Sequence, residues 1–227
     1  FLIDRRHHLT KNVLPSKLIA EALDQYLPQG ELVSPDRGEA TDLHILTANA
    51  QSLSQTESIA GYEKQLTTLK VHFAGFQEGR NSTDLESDHG GFIKLGSKAL
   101  KGQFGCQFWA NKALSMGKLD GKDVYPDIKM FEIVISQPRF LVIRMTNQLY
   151  HVLFLVMHAP YAWLDNGKAA DAYWEMIYKF VLRYAGECMV WLGDMNTCPK
   201  DGYSSHEFGG VGSPKEGKHF RLFQRAV

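Results

Sequence analysis

One stretch constrains this chain more than any other. Met189, Val190, Trp191 and Leu192 form an apolar run that ends at Gly193, and Asp194, Met195 and Asn196 follow. A short apolar run bounded by a glycine reads as a buried strand. In an open α/β sheet, polar groups just past such a strand line the ligand crevice. Asp194 and Asn196 are separated by one residue, so in extended backbone both side chains point to one face. A carboxylate and a carboxamide converging on one spot can orient a water and hold a phosphoryl oxygen. The same pair also reads as an Asx turn closing a strand, and the stretch alone does not choose between these.

The 227 residues, 44% hydrophobic and 22% charged, suffice for one large core, with or without an N-terminal appendage. Lys plus Arg and Asp plus Glu balance at 25 each. That neutrality speaks against a protein that coats nucleic acid tightly, but not against an enzyme that touches it locally. Cys106, Cys188 and Cys198 show no metal-ligand spacing. Their odd number fits a reducing compartment, so cytosol or nucleus is expected. No apolar stretch is long enough to span a membrane, and no signal peptide is visible. The chain begins at Phe1 rather than Met, so a native start upstream is expected.

Residues 1–42 read as an N-terminal arm. It carries a basic patch (Arg5, Arg6, His7, His8), a short helix over 16–27 with Ser16 as N-cap, and a polar linker over 28–42. The compact domain, 43–227, is expected to start with a strand over 43–49. A helix over 58–71 and a strand over 73–77 follow, making a strand–helix–strand unit whose strand ends share one sheet edge. Residues 79–90 read as a surface loop, 92–95 and 103–110 as strands, and 115–128 as a polar turn region. Three strands over 130–136, 139–146 and 150–158 form an antiparallel meander with turns at Pro138 and Asn147-Gln148. The clearest helix spans 167–184, with Ala170, Tyr173, Trp174, Ile177, Phe180, Val181 and Tyr184 on one face. Residues 199–217 are Gly-rich and polar, and a last helix is expected from 218.

Four of these strands end in residues suited to metal, phosphate or acid–base work: Asn49, Glu78, His158, and Asp194 with Asn196. The pieces TANAQSL, FAGFQEGR, FGCQFWANK, LVMHAP and VWLGDMN resemble, in that order, the endonuclease/exonuclease/phosphatase superfamily, whose fold is that of DNase I and the AP endonucleases. The resemblance covers roughly residues 43–226. It implies an α/β (α+β) fold, a four-layer α/β/β/α sandwich with two mixed sheets face to face. It implies phosphoester hydrolysis assisted by Mg²⁺ or Mn²⁺. By position, Glu78 resembles the metal-binding glutamate, with Asn49 beside it. Asp194 resembles the acid that orients the attacking water, and Asn196 the residue that holds a phosphate oxygen. His158 resembles the histidine that assists the leaving oxygen, and Arg80 a DNA-contacting arginine. These residue types suit that chemistry. A hard cation prefers oxygen ligands and keeps several waters, and it offsets charge on a phosphoryl group. An ionised Asp can align water, and a His can exchange a proton.

Each residue also has an ordinary reading. Glu78 also reads as a helix-start or surface acid, Asn49 as a turn former, His158 as a satisfied strand-end histidine and Arg80 as a solvated or salt-bridged residue. The triplet Ser87-Asp88-His89 looks like the superfamily's terminal Ser-Asp-His but stands in the wrong place, and His206 and His219 have no evident partner. The chain stops at Val227 before a terminal Ser-Asp-His, so the final strands of the second sheet are expected to be missing.

The segment from Gly193 to Phe223 resembles non-LTR retroelement endonuclease domains, with Glu216-Gly217 where those have Asn-Gly. The leading expectation is therefore a metal-dependent endonuclease that nicks DNA, within a longer polypeptide that carries a reverse transcriptase. Two alternatives stay open. One is a phosphatase or phosphodiesterase of the same fold, acting on inositol phosphate, lipid or RNA. The other is an inactive remnant.

Overall fold

The computed structural model describes residues 2–3, 38–161 and 168–196. The expected helix over 16–27, most of the arm, the Gly-rich stretch over 199–217 and the helix from 218 lie outside the described residues. The described chain forms two compact units. The first contains residues 2–3, 38–158 and 187–194, and the second contains 159–161, 168–186 and 195–196.

The first unit holds two five-stranded sheets. One contains β3 (Ile45–Asn49), β4 (Phe73–Gln77), β5 (Leu85–Ser87), β6 (Phe92–Gly96) and β7 (Gln107–Asn111), in the order β3-β4-β7-β6-β5. The other contains β1 (Leu2–Ile3), β10 (Phe131–Gln137), β11 (Phe140–Thr146), β12 (His151–His158) and β13 (Cys188–Asp194), in the order β1-β13-β12-β11-β10. Both are mixed, as expected, and each has one parallel pair, β3 with β4 and β12 with β13. Strands that are covered on both faces read as nearly continuous apolar runs. That is the pattern of Val152–Met157 and Met189–Leu192, all of which are buried.

The two sheets pack face to face. Phe73, Ile93, Leu95 and Phe108 of the first meet Leu141, Ile143, Phe154, Val156, Val190 and Leu192 of the second in one core cluster. Phe73 and Phe108 sit 5.0 and 4.8 Å, centroid to centroid, from Phe154, so aromatic contacts tie sheet to sheet. Helix α1 (Thr56–Thr68) covers the outer face of the first sheet, where Leu66, Ile59 and Tyr62 join Leu53, Ala74, Phe76 and Trp109. The result is an α/β sandwich. Helix α2 (Lys168–Arg183), in the second unit, buries Ala170, Tyr173, Trp174, Ile177, Phe180 and Val181, the face that the periodicity predicts.

The short polar strands depart from expectation. Gly38–Ala40, within the stretch read as linker, is β2 and pairs with β8 (Gly117–Leu119), which in turn pairs with β9 (Lys122–Asp123). Residues 117–123 were expected as turn, and Leu85–Ser87 as loop. Strands of two or three residues are too short to show an apolar alternation. The strand expected over 103–110 begins only at Gln107. Phe104 at φ 66° and Gly105 at φ 89° break the extended backbone before it. Cys106 and Cys188 are free thiols, and burial pushes the Cys106 thiol up to about 12.

Gly193 sets the spacing of the last parallel pair. A Cβ there would collide with the carbonyl oxygen of Met157 on β12. Only glycine lets the two strands close to this register, in which Met157 faces Gly193 and His158 faces Asp194.

Candidate active site

Each parallel pair delivers its residues to a strand end. In the first sheet Asn49 pairs with Gln77 in register, and Glu78 is the next residue. In the second sheet His158 and Asp194 are register partners at the ends of β12 and β13, so their side chains leave the same face.

Glu78 joins these groups. Its Oε1 accepts from Asn49 Nδ2 at 3.2 Å and lies 3.9 Å from His158 Nε2. Its Oε2 accepts from Arg80 Nη2 at 2.9 Å. Burial opposes ionisation of Glu78. The hydrogen bonds from Arg80 and Asn49, with the nearby His158 and Arg80 charges, outweigh it and hold the carboxyl below its ordinary value. The backbone at Glu78 is left-handed (φ 58°), as it is at Arg80 (φ 57°). A non-glycine residue held there costs of order 1–3 kcal/mol and is typical of functional turns. The turn is pinned by Gly79 N donating to Gly105 O and Arg80 N donating to Phe104 O, both at 2.9 Å. Gly105 is required at this contact, since a Cβ would stand 3.1 Å from Arg80 N on a backbone already at φ 89°.

His158 is 2% exposed, and neither ring nitrogen has a hydrogen-bond partner among the described residues. Burial is the main force lowering its pKa. The Arg139 charge adds to that, while Asp194 and Glu78 pull the other way. The imidazole is therefore neutral near pH 7. A buried orphan of this kind calls for an explanation, and two ring nitrogens kept open beside a carboxylate suit a group that meets a substrate.

The structure thus brings Asn49, Glu78, Arg80, His158 and Asp194 together. Asn196 belongs to the second unit, where its Nδ2 donates to Ala159 O at 2.6 Å. The expectation that it shares a face with Asp194 through extended backbone does not hold. Strand β13 ends at Asp194, and Asn196 sits at φ 45°. Of the Ser87-Asp88-His89 triplet, Asp88 pairs with Lys112 at 2.9 Å, as a loop anchor would.

Among the described residues no three His, Cys, Asp or Glu side chains cluster as a metal cage. The donor set at Glu78 and Asn49 is sparse, with one ionised carboxylate facing the Asn49 amide nitrogen, while the Asn49 carboxamide oxygen accepts from Gln51 N at 3.1 Å. That fits Mg²⁺, which is held by one or two carboxylates and keeps most of its waters.

Two contributors escaped the sequence reading. Phe104 places its ring against His158, with centroids 5.6 Å apart and planes at 67°. Arg139 stacks 3.6 Å over the Phe104 ring and donates Nη1 to His158 O at 3.1 Å. The available signal was an aromatic bracketed by Gly102 and Gly105, inside what read as strand.

Two mixed sheets face to face, with these residues at the ends of their parallel strands, define a class. The fold is DNase I-like. Among solved structures the chain is similar to the endonuclease domain of TRAS1, a telomere-specific non-LTR retrotransposon. Identity is 14% and the TM-score 0.52, over 81% of this chain and 69% of that one. It is also similar to an AP endonuclease from Archaeoglobus fulgidus, at 14% identity and a TM-score of 0.49 over 80% of this chain and 68% of that one. A 3'-5' exonuclease (NExo) from Neisseria meningitidis gives 15% identity and a TM-score of 0.49 over the same shares. No protein-family model and no curated protein matches the chain. No helix among the described residues is long and apolar enough to cross a membrane.

Proposed function

We propose that this chain is a Mg²⁺-dependent (or Mn²⁺-dependent) phosphodiester hydrolase that nicks DNA. The observation that carries the reading is the convergence of Glu78, Asn49, His158 and Asp194 from both sheets, with a buried neutral imidazole 3.9 Å from an ionised carboxylate. The likeness in fold to an endonuclease domain supports the choice of substrate. In this reading Glu78 and Asn49 hold the metal, which polarises the phosphoryl group and offsets its charge when bound. Asp194 aligns the attacking water. His158 offers a ring nitrogen to the phosphoryl or leaving oxygen. Arg80 meets a neighbouring phosphate on the strand.

Relaxation of supercoiled plasmid tests this. Nicking is expected with Mg²⁺, and is expected to vanish with EDTA and with Asp194→Ala. Relaxation that survives Asp194→Ala would sink the reading. Phosphate release from short-chain inositol phosphates, without nicking, would move the protein to the phosphatases of this fold.

A further inference from the structure

We propose that Phe104, held by Arg139, is a positioning residue that fixes the His158 ring opposite Glu78. The inference deepens the hydrolase reading and rests on it. A working histidine is usually oriented by a hydrogen bond to its second ring nitrogen. His158 lacks one at either nitrogen among the described residues, so packing must set its ring. The described aromatic contact to that ring is the edge-to-face one from Phe104.

Phe104 is itself held three ways. Its backbone sits at φ 66°, unusual for a bulky side chain. Its carbonyl accepts from Arg80 N at 2.9 Å. Its ring lies under the Arg139 guanidinium at 3.6 Å. Arg139 then closes a ring of contacts. Its Nη1 donates to His158 O at 3.1 Å, and its own carbonyl accepts from His158 N at 2.9 Å. Through its carbonyl Phe104 also anchors the left-handed turn that presents Glu78. One residue therefore ties the acid of one sheet to the histidine of the other. A residue that merely fills the core would need neither the strained backbone nor the planar cation above it.

The test is cleavage kinetics on a labelled DNA duplex in Mg²⁺. Misplacing a reacting group by an ångström costs up to about a hundredfold in rate. Phe104→Leu, which keeps bulk but loses the flat ring, should lower kcat by roughly tenfold to a hundredfold and leave KM within about threefold. Phe104→Tyr should restore most of the rate. Arg139→Lys keeps the charge but loses the planar stack, so it should fall with Phe104→Leu, and it decides the matter if Phe104→Leu does not fold. A folded Phe104→Leu with kcat within about twofold of the parent overturns the proposal. If the parent protein cuts nothing, the hydrolase reading fails, and modification of His158 by diethyl pyrocarbonate, followed by mass spectrometry, decides the positioning role. A rate about tenfold higher in Phe104→Leu supports the clamp, and equal rates overturn it.

Discussion

Two histidines lie buried in the first unit, and they are buried differently. His72, just before β4, is 8% exposed, and both of its ring nitrogens have partners. Nδ1 accepts from His44 N at 3.0 Å, and Nε2 donates to Ser115 O at 3.2 Å. It splices the start of β3 to the loop after β7. His158 is 2% exposed, and neither ring nitrogen is hydrogen-bonded among the described residues. Folding gains from the first ring and tolerates the second. Burial and residue type do not separate a structural histidine from a working one, whereas hydrogen-bond satisfaction does.

The sharpest way to break this contrast is to remove each ring. His158→Ala should lower DNA cleavage by about 10²–10⁴-fold, the range for lost acid–base help. His72→Ala should leave cleavage almost unchanged in a folded protein. A plasmid-nicking titration compares them, and equal losses would erase the distinction.

Stability should rank the pair the other way. His72→Ala strands His44 N and Ser115 O and should cost about 1–3 kcal/mol. His158→Phe strands no hydrogen-bond partner among the described residues and fills the site with apolar surface, so it should cost less than His72→Ala or even stabilise. Urea unfolding midpoints decide.

Acid should expose both rings. Burial lowers the pKa of His72 (the Ser115 bond opposes it and His44 assists) and of His158. The unfolded chain takes up the proton first. The stability each contributes is therefore whole above the ordinary value of 6.5 and is lost as pH falls towards the folded value. Thermal melts between pH 8 and about pH 5 should show the loss, and His72→Phe should flatten part of it.

The smallest effect belongs to Arg80. Its pair with Glu78 is partly exposed, so Arg80→Ala should change stability by only about 0–1 kcal/mol. A larger shift in the urea midpoint would mean that the Glu78 turn leans on it.

What the sequence made legible follows from these same forces. Met189–Leu192 and Phe73–Gln77 were readable because two-sided burial demands continuous apolar runs, and Glu78 and Asp194 were readable as the polar residues that end them. His158 followed by the same rule, whereas Asn49 ends a half-buried strand with no continuous apolar run. The left-handed turn at Glu78 and the Phe104–Arg139 stack were not readable, because they arise from contacts between segments far apart in the chain. Residues such as Leu85–Ser87 and Lys122–Asp123 take strand form from a neighbour's register rather than from any pattern of their own.

Gly193 has no side chain and takes no part in any chemical step, yet it admits no substitute without pushing β13 away from β12. A saturation scan of cleavage would score position 193 as deeply intolerant, alongside His158 and Asp194. Read by tolerance alone, a spacer between two strands would be indistinguishable from the catalysts that it holds in step.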